Sequence, residues 1–181
     1  MLEKKNIYTT TVFAGLFLAL GMVLPMFTAQ IKEIGDSLLP MHIAVMFCGI
    51  VCGWKYGFAV GLILPFLRSV TFGMPPIYPN AVWMAAELAA YGFTIGYLYN
   101  RCFKNKTAGV YFSLLISMIS GRVVWGIVKA LLLGIKGQPF TFTMFLIGGF
   151  ADAVPGIILQ LLLIPAGTKL VEKIVFSQNK G

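Results

Sequence analysis

Five ionisable residues lie inside otherwise apolar stretches of the sequence: Arg68, Glu87, Arg122, Lys129 and Asp152. A charge near the centre of a bilayer costs about 2.5 to 3.5 kcal/mol, so such side chains usually face a bundle interior or a cavity. The set suits recognition of a solute, because an arginine fork binds a carboxylate well. It also permits a structural interpretation as two buried ion pairs, Arg68 with Glu87 and Arg122 with Asp152.

The composition of the chain is that of a membrane protein. Of its 181 residues, 59% are hydrophobic and 11% are charged, whereas a soluble domain carries roughly 25% charged residues. A spanning helix requires about 20 apolar residues, so residues 1–181 have room for about six spans in a single transmembrane domain. The net charge of +8 comes mostly from clusters between the apolar runs, where cations orient helices. We therefore predict no nucleic-acid partner.

Interruptions by turn residues and charges predict an all-α protein with six transmembrane helices. The six apolar segments are Ile7–Thr28, Leu39–Gly53, Tyr56–Phe72, Pro79–Asn100, Thr107–Gly134 and Phe142–Val171. The second and third segments are short for a full span, so we expect them to form a compact hairpin.

The distribution of Lys and Arg between the loops predicts the topology. With the N-terminus inside, nine of these residues lie on the cytoplasmic side and only Lys32 and Lys136 lie in outer loops. The positive-inside rule then places both termini in the cytoplasm, which an even number of spans requires.

In this topology the five embedded charges gather in the outer half of the membrane. At 1.5 Å per helical residue, Arg122 falls near mid-depth and the others fall between that level and the outer surface. Independent structural pairs have no reason to prefer one leaflet, so we predict a polar cavity open to the outside. Three cations against two anions leave a balance of +1, which suits a ligand with one carboxylate. Lys129 drops out of this count if it snorkels to the interface.

Residues near the outer helix ends complete the predicted substrate-binding set: His42, Tyr78, Asn80 and Trp83. Tyr78 and Asn80 belong to the proline-rich loop 73–80, which has the composition of a lid and equally of an ordinary turn. The loop 30–39 is a second lid candidate. For His42 we favour a hydrogen-bonded interfacial residue over a metal ligand, and we predict no metal site.

The sequence contains no motif for catalysis. It has no Gly-Lys dipeptide, and therefore no phosphate-binding loop of the P-loop type. It also lacks the common nucleophile and metal motifs. We predict that the chain is not an enzyme and holds no cofactor. Among transporters, a self-sufficient proton-coupled carrier that uses Glu87 or Asp152 stays an alternative.

The first apolar segment carries small residues at Thr11, Gly15 and Ala19. The spacing of four puts them on one helix face. Stripes of small residues let helices approach closely in lipid. Packing inside the bundle and contact with a partner protein both explain such a stripe.

Three stretches of the sequence resemble the substrate-binding S components of energy-coupling factor (ECF) vitamin transporters. They are the Gly15-Leu16-Phe17-Leu18-Ala19 stripe, the stretch Leu39–Gly92 and the stretch Pro155–Lys173. The resemblance implies a six-helix bundle in the bacterial plasma membrane that binds a vitamin near the outer face, beneath its loops. We expect a small carboxylate such as pantothenate or niacin, and next pyridoxine, from the +1 balance.

The same resemblance implies partner proteins. S components act with a transmembrane coupling subunit, which meets the small-residue stripe of the first helix, here Thr11, Gly15 and Ala19. Two cytoplasmic ATPase subunits use the ATP, so none is expected in this chain. The vitamin would be released inward as the S component topples in the membrane.

Overall fold

The computed structural model describes residues 7–28, 39–103 and 107–178. Within these ranges the chain forms seven α-helices: α1 Ile7–Thr28, α2 Pro40–Cys52, α3 Trp54–Phe72, α4 Val82–Arg101, α5 Thr107–Ile135, α6 Phe142–Leu146 and α7 Val154–Gln178. Two short π-helical turns, Ile77–Ala81 and Ile147–Ala151, precede α4 and follow α6. The predicted all-α class is confirmed.

Each predicted apolar segment corresponds to a helical unit, but the last unit is not straight. Between Phe142–Ala151 and Val154–Leu170 the chain bends by 43°. Gly148 and Gly149 lie in the π-helical turn before the bend, and Pro155 follows it. Glycine and proline both weaken a regular helix, which accounts for the break.

Among the described residues, two helices are long and apolar enough to cross a membrane alone, within Ile7–Phe27 and Ala108–Ile135, and the bent pair is a third candidate. Six spans, the positions of the termini and the single domain stay predictions. The basic N-terminal residues and most of the predicted lid loop, residues 30–38, lie outside the described residues.

Two buried apolar clusters hold the helices together. The first cluster contains residues from each of α1, α2, α3 and α4, namely Ala14, Met41, Val45, Cys48, Val60, Leu64 and Leu88. The second joins α2, α4, α5 and α7 through Met46, Ile50, Tyr91, Ile95, Tyr99, Val110, Leu114, Met118 and Ile164. Because α2 and α4 contribute to both clusters, they form the centre of the bundle.

A glycine seam fixes α3 against α4. A Cβ atom added at Gly92 would overlap the backbone of Gly57, and one at Gly61 would overlap the backbone of Leu88. Such contact between backbones is possible only for residues without a side chain. The seam sets the register of α4, the helix that carries Trp83 and Glu87.

We predict that Gly92→Ala destabilises the fold by about 1 to 3 kcal/mol, the usual cost of overpacking. The added methyl group would meet the Gly57 backbone, which cannot turn aside as a flexible side chain can. Gly134→Ala is the matched control, because a Cβ atom there meets nothing within 4 Å. Thermal unfolding in detergent, followed by circular dichroism, measures both variants. Equal stabilities of the two variants would contradict close backbone packing of α3 against α4 at Gly92.

Candidate functional site

Two helices of the bundle face each other with polar side chains between them. Trp83 and Glu87 are four residues apart on one face of α4, and that face meets α5. The Lys129 ammonium lies 5.3 Å from the centre of the Trp83 ring. One turn deeper, Arg122 Nη1 donates a hydrogen bond to Glu87 Oε1 at 2.8 Å. The two helices therefore bring together four of the predicted site residues.

The ion pair between Arg122 and Glu87 is buried, with 5% and 2% of the two residues exposed. It corrects the pairing that the sequence suggested, in which Arg68 was the partner of Glu87 and Asp152 the partner of Arg122. The correction has a simple cause, since α4 and α5 pack as neighbours and bring these two side chains to the same level.

His42 joins the pair from a third helix. It lies in the first turn of α2 and is 2% exposed, so it is a buried residue and not the interfacial one that we predicted. Its Nε2 lies 3.4 Å from Glu87 Oε1. The edge of its ring packs against the face of Tyr91, with ring centres 5.0 Å apart. Helices α2, α4 and α5 thus converge on one carboxylate.

Several buried nitrogen atoms in this cluster have no hydrogen-bond partner among the described residues. They are Nε and Nη2 of Arg122 and both ring nitrogens of His42. A buried polar group without a partner costs about 1 to 3 kcal/mol. On a guanidinium the Nε and Nη2 hydrogens point to the same side and form a fork that matches the two oxygens of a carboxylate. Arg122 therefore presents one complete donor edge beside the edge used by Glu87.

Aromatic rings surround the Lys129 ammonium at one end of the cluster. Its ammonium lies 4.5 Å from the centre of the Trp125 ring and 5.7 Å from that of Phe140, in addition to Trp83. Cations are attracted to the faces of such rings. The side chain is half-buried, and in the described part of the chain the rings are its close partners. Lys129 thus adds positive charge above the ion pair.

Arg68 lies apart from the cluster. Its Nη1 donates to the carbonyl oxygen of Met22 at 2.8 Å, and its guanidinium lies 5.6 Å from the Phe72 ring centre. The first contact links α3 to α1. The structure therefore does not bring Arg68 to Glu87.

The remaining predicted residues lie in or beside the turns before α4 and α7. Asp152 is exposed in the turn before α7, and Asn80 is half-buried in the π-helical turn before α4. Tyr78 is exposed, and the Lys136 ammonium lies 4.7 Å from its ring centre. This contact joins the loop before α4 to the end of α5. A binding role for these three predicted residues stays a prediction.

The sequence analysis missed two residues of the cluster and one buried polar residue of α7. Trp125 lies on the face of α5 between Arg122 and Lys129, and Tyr91 supports His42. Gln160 of α7 is 1% exposed, and its Nε2 has no partner within the described ranges. Counting uncharged polar residues in apolar segments would have found Gln160. The aromatic residues gave no such signal, because they are common in spanning helices.

Apolar helices around a buried cluster of polar groups define a membrane protein with a polar interior. A comparison with protein families gives the particular class: the family described as ECF transporter, substrate-specific component, matches residues 9–166. The chain belongs to this family. Comparisons with curated proteins and with solved structures return no significant match.

The family match confirms the resemblance to ECF S components. The protein is therefore a membrane transport protein and the substrate-specific subunit of an ECF transporter. Its family is not a family of enzymes. The match extends from α1 into α7, so it includes every residue of the candidate site.

We predict that Arg122→Ala destabilises the protein by about 3 to 5 kcal/mol, because it leaves the Glu87 carboxylate buried without its cation. The double variant Arg122→Gln with Glu87→Gln removes both charges and is expected to recover most of that loss. Unfolding of both proteins in detergent measures the difference. A double variant no more stable than Arg122→Ala would show that the ion pair is not the reason for the loss.

Proposed function

We propose that this chain is the membrane-embedded substrate-binding subunit of an ECF-type ABC importer in the bacterial plasma membrane. It captures a small vitamin or vitamin precursor from outside and releases it inward when coupled to its ATPase partners. The observation that carries the proposal is the donor edge of Arg122. Nε and Nη2 lack a protein partner in the described structure although Arg122 is 5% exposed. A bound solute would supply the acceptors that the protein does not.

The ligand we propose is a small carboxylate, either pantothenate or niacin. Pyridoxine, which has no carboxylate, is the next candidate. The Arg122 fork matches a carboxylate in shape and charge. The local charge adds no preference of its own, since the charges of Glu87 and Asp152 both act on Lys129, and two cations and two anions balance. This differs from the +1 counted from the sequence, because Arg68 lies elsewhere. The shape of the Arg122 fork therefore carries the choice of a carboxylate.

The partners we propose are a transmembrane coupling subunit and two cytoplasmic ATPase subunits. The contact to the coupling subunit is the stripe of Thr11, Gly15 and Ala19. All three residues are exposed on α1, and a Cβ atom at Gly15 would meet nothing within 4 Å. The Thr11 hydroxyl also contacts α3, since it lies 3.2 Å from the Tyr56 hydroxyl. The open space at Gly15 supports the use of this face by another protein.

For the ligand, we predict that Arg122→Lys weakens binding about 10- to 100-fold, the equivalent of about 1.5 to 3 kcal/mol for hydrogen bonds to a charged group. Lysine keeps the charge but has no fork. Titration calorimetry of the purified chain measures the affinity for nicotinate and pantothenate and for their uncharged analogues, nicotinamide and pantothenol. The wild type is expected to prefer an acid over its analogue.

Arg101→Lys is the matched control for this experiment, because it makes the same change at an exposed arginine of α4. Its affinity should equal that of the wild type. If Arg122→Lys also keeps full affinity for every vitamin that binds, the donor edge is not part of the site. Binding of no vitamin in a broad panel would count against the function itself.

For the partner contact, we predict that Gly15→Leu abolishes uptake into cells and leaves ligand affinity unchanged. The bulky side chain would block close helix approach at the exposed face of α1. Gly134→Leu places the same residue at another exposed helical glycine with open space around it and should keep uptake. Loss of ligand binding in Gly15→Leu would contradict the assignment. Accumulation by the chain alone in proteoliposomes under a pH gradient would support the proton-coupled alternative instead.

A further inference from the structure

A second group of aromatic and basic side chains lies at the opposite end of α4 from the candidate site. It consists of Trp54, Lys55, Phe93, Tyr97 and Arg101, which we call the Trp54 patch. Phe93, Tyr97 and Arg101 are spaced by four residues and so share one face of α4. Trp54 and Lys55 begin α3 beside them.

The rings of the patch form a continuous exposed surface. The Trp54 ring meets Phe93 edge to face at 5.3 Å, and Phe93 stacks on Tyr97 at 6.0 Å. Phe93 is 40% exposed and Tyr97 is 44% exposed. The Lys55 ammonium lies 5.5 Å from the centre of the Trp54 ring. Phe93 and Tyr97 therefore face away from the bundle, and the Lys55 ammonium lies over the neighbouring Trp54 ring.

The backbone beneath the patch is closely packed. A Cβ atom added at Gly96 would lie 2.8 Å from Trp54 Cα, so α3 begins in direct contact with α4. One turn further, Asn100 Nδ2 donates to the carbonyl oxygens of Gly49 and Ile50, both at 3.3 Å. The end of α2 and the start of α3 are thus fixed against α4. These contacts hold the side chains of the patch in fixed relative positions.

The positive charge of the patch has no acidic partner nearby in the described structure. The acidic side chains that the structure describes are Glu87 and Asp152. Glu87 lies about 21 Å from Arg101 along α4, at 1.5 Å per residue, and Asp152 belongs to the outer end with the candidate site. Lys55 and Arg101 are both exposed. They are therefore available to an anion from outside the protein.

We propose that the Trp54 patch binds the headgroup of an anionic phospholipid in the cytoplasmic leaflet. The lipid phosphate would contact Lys55 and Arg101. The part of the acyl chains next to the headgroup would lie along Phe93 and Tyr97. Aromatic rings favour the level of the headgroups, and basic residues attract anionic lipids there. The predicted topology places this end of α4 on the cytoplasmic side. The proposal is independent of the vitamin site.

Native mass spectrometry of the purified full chain tests the proposal. The protein is titrated with phosphatidylglycerol and, separately, with phosphatidylethanolamine of the same acyl chains. The wild type is expected to bind phosphatidylglycerol more tightly. Lys55→Gln and Arg101→Gln should each weaken its binding about five-fold, the equivalent of about 1 kcal/mol per cation. Binding of phosphatidylethanolamine should not change.

Lys169→Gln is the matched control, because Lys169 is an exposed lysine of α7, a helix that contributes no residue to the patch. It should leave binding of both lipids unchanged. Equal loss in Lys169→Gln would show a general charge effect and overturn the proposal. So would unchanged phosphatidylglycerol binding in both patch variants. Lost uptake with unchanged lipid binding would assign the patch to a protein partner, again against a lipid site.

Discussion

The buried ion pair between Arg122 and Glu87 is the constraint on which the arrangement of the polar interior depends. A carboxylate that is 2% exposed must be neutralised locally, and the Arg122 guanidinium does so across the interface of α4 and α5. His42 adds α2 to the same carboxylate. One edge of the guanidinium is used by Glu87, whereas Nε and Nη2 on the other edge have no partner among the described residues. In the proposed function, stability and recognition of the solute depend on the same side chain.

Small residues serve two different purposes in this bundle. Gly57, Gly61 and Gly92 let α3 and α4 meet backbone to backbone, and this contact fixes the register that places Glu87 opposite Arg122. Gly15 on α1 has open space around it. The same sequence pattern thus produces an internal seam in one place and an exposed face in another. An exposed face of small residues on α1, beside a closely packed interior, suits a subunit that associates with another membrane protein.

The two ends of α4 have different surroundings. At one end Trp83 and Lys129 lie above a buried cluster that is rich in unpaired donors. At the other end the rings of Phe93 and Tyr97 face outward. Helix α4 is central to the fold, since it contributes to both apolar clusters. It therefore connects the buried cluster to the Trp54 patch through one helix.

The sequence by itself determined the helices and the class of protein. Apolar runs and their interruptions predicted the helical segments, since a bilayer demands long apolar helices whatever their neighbours are. The residues also carried the family resemblance that the family match confirms. Charged residues in apolar runs identified Glu87, Arg122 and Lys129 as candidates, because the cost of such charges does not depend on the fold.

Only the tertiary structure decided which of these residues meet. The sequence paired Arg68 with Glu87, whereas packing of α4 on α5 gives Glu87 to Arg122 and leaves Arg68 with the carbonyl of Met22. Spacing along a helix fixes a face, but it does not fix the neighbour that the face contacts. The burial of His42 and of the missed Gln160 has the same origin. Partners across helices are set by packing, and packing is a property of the whole bundle.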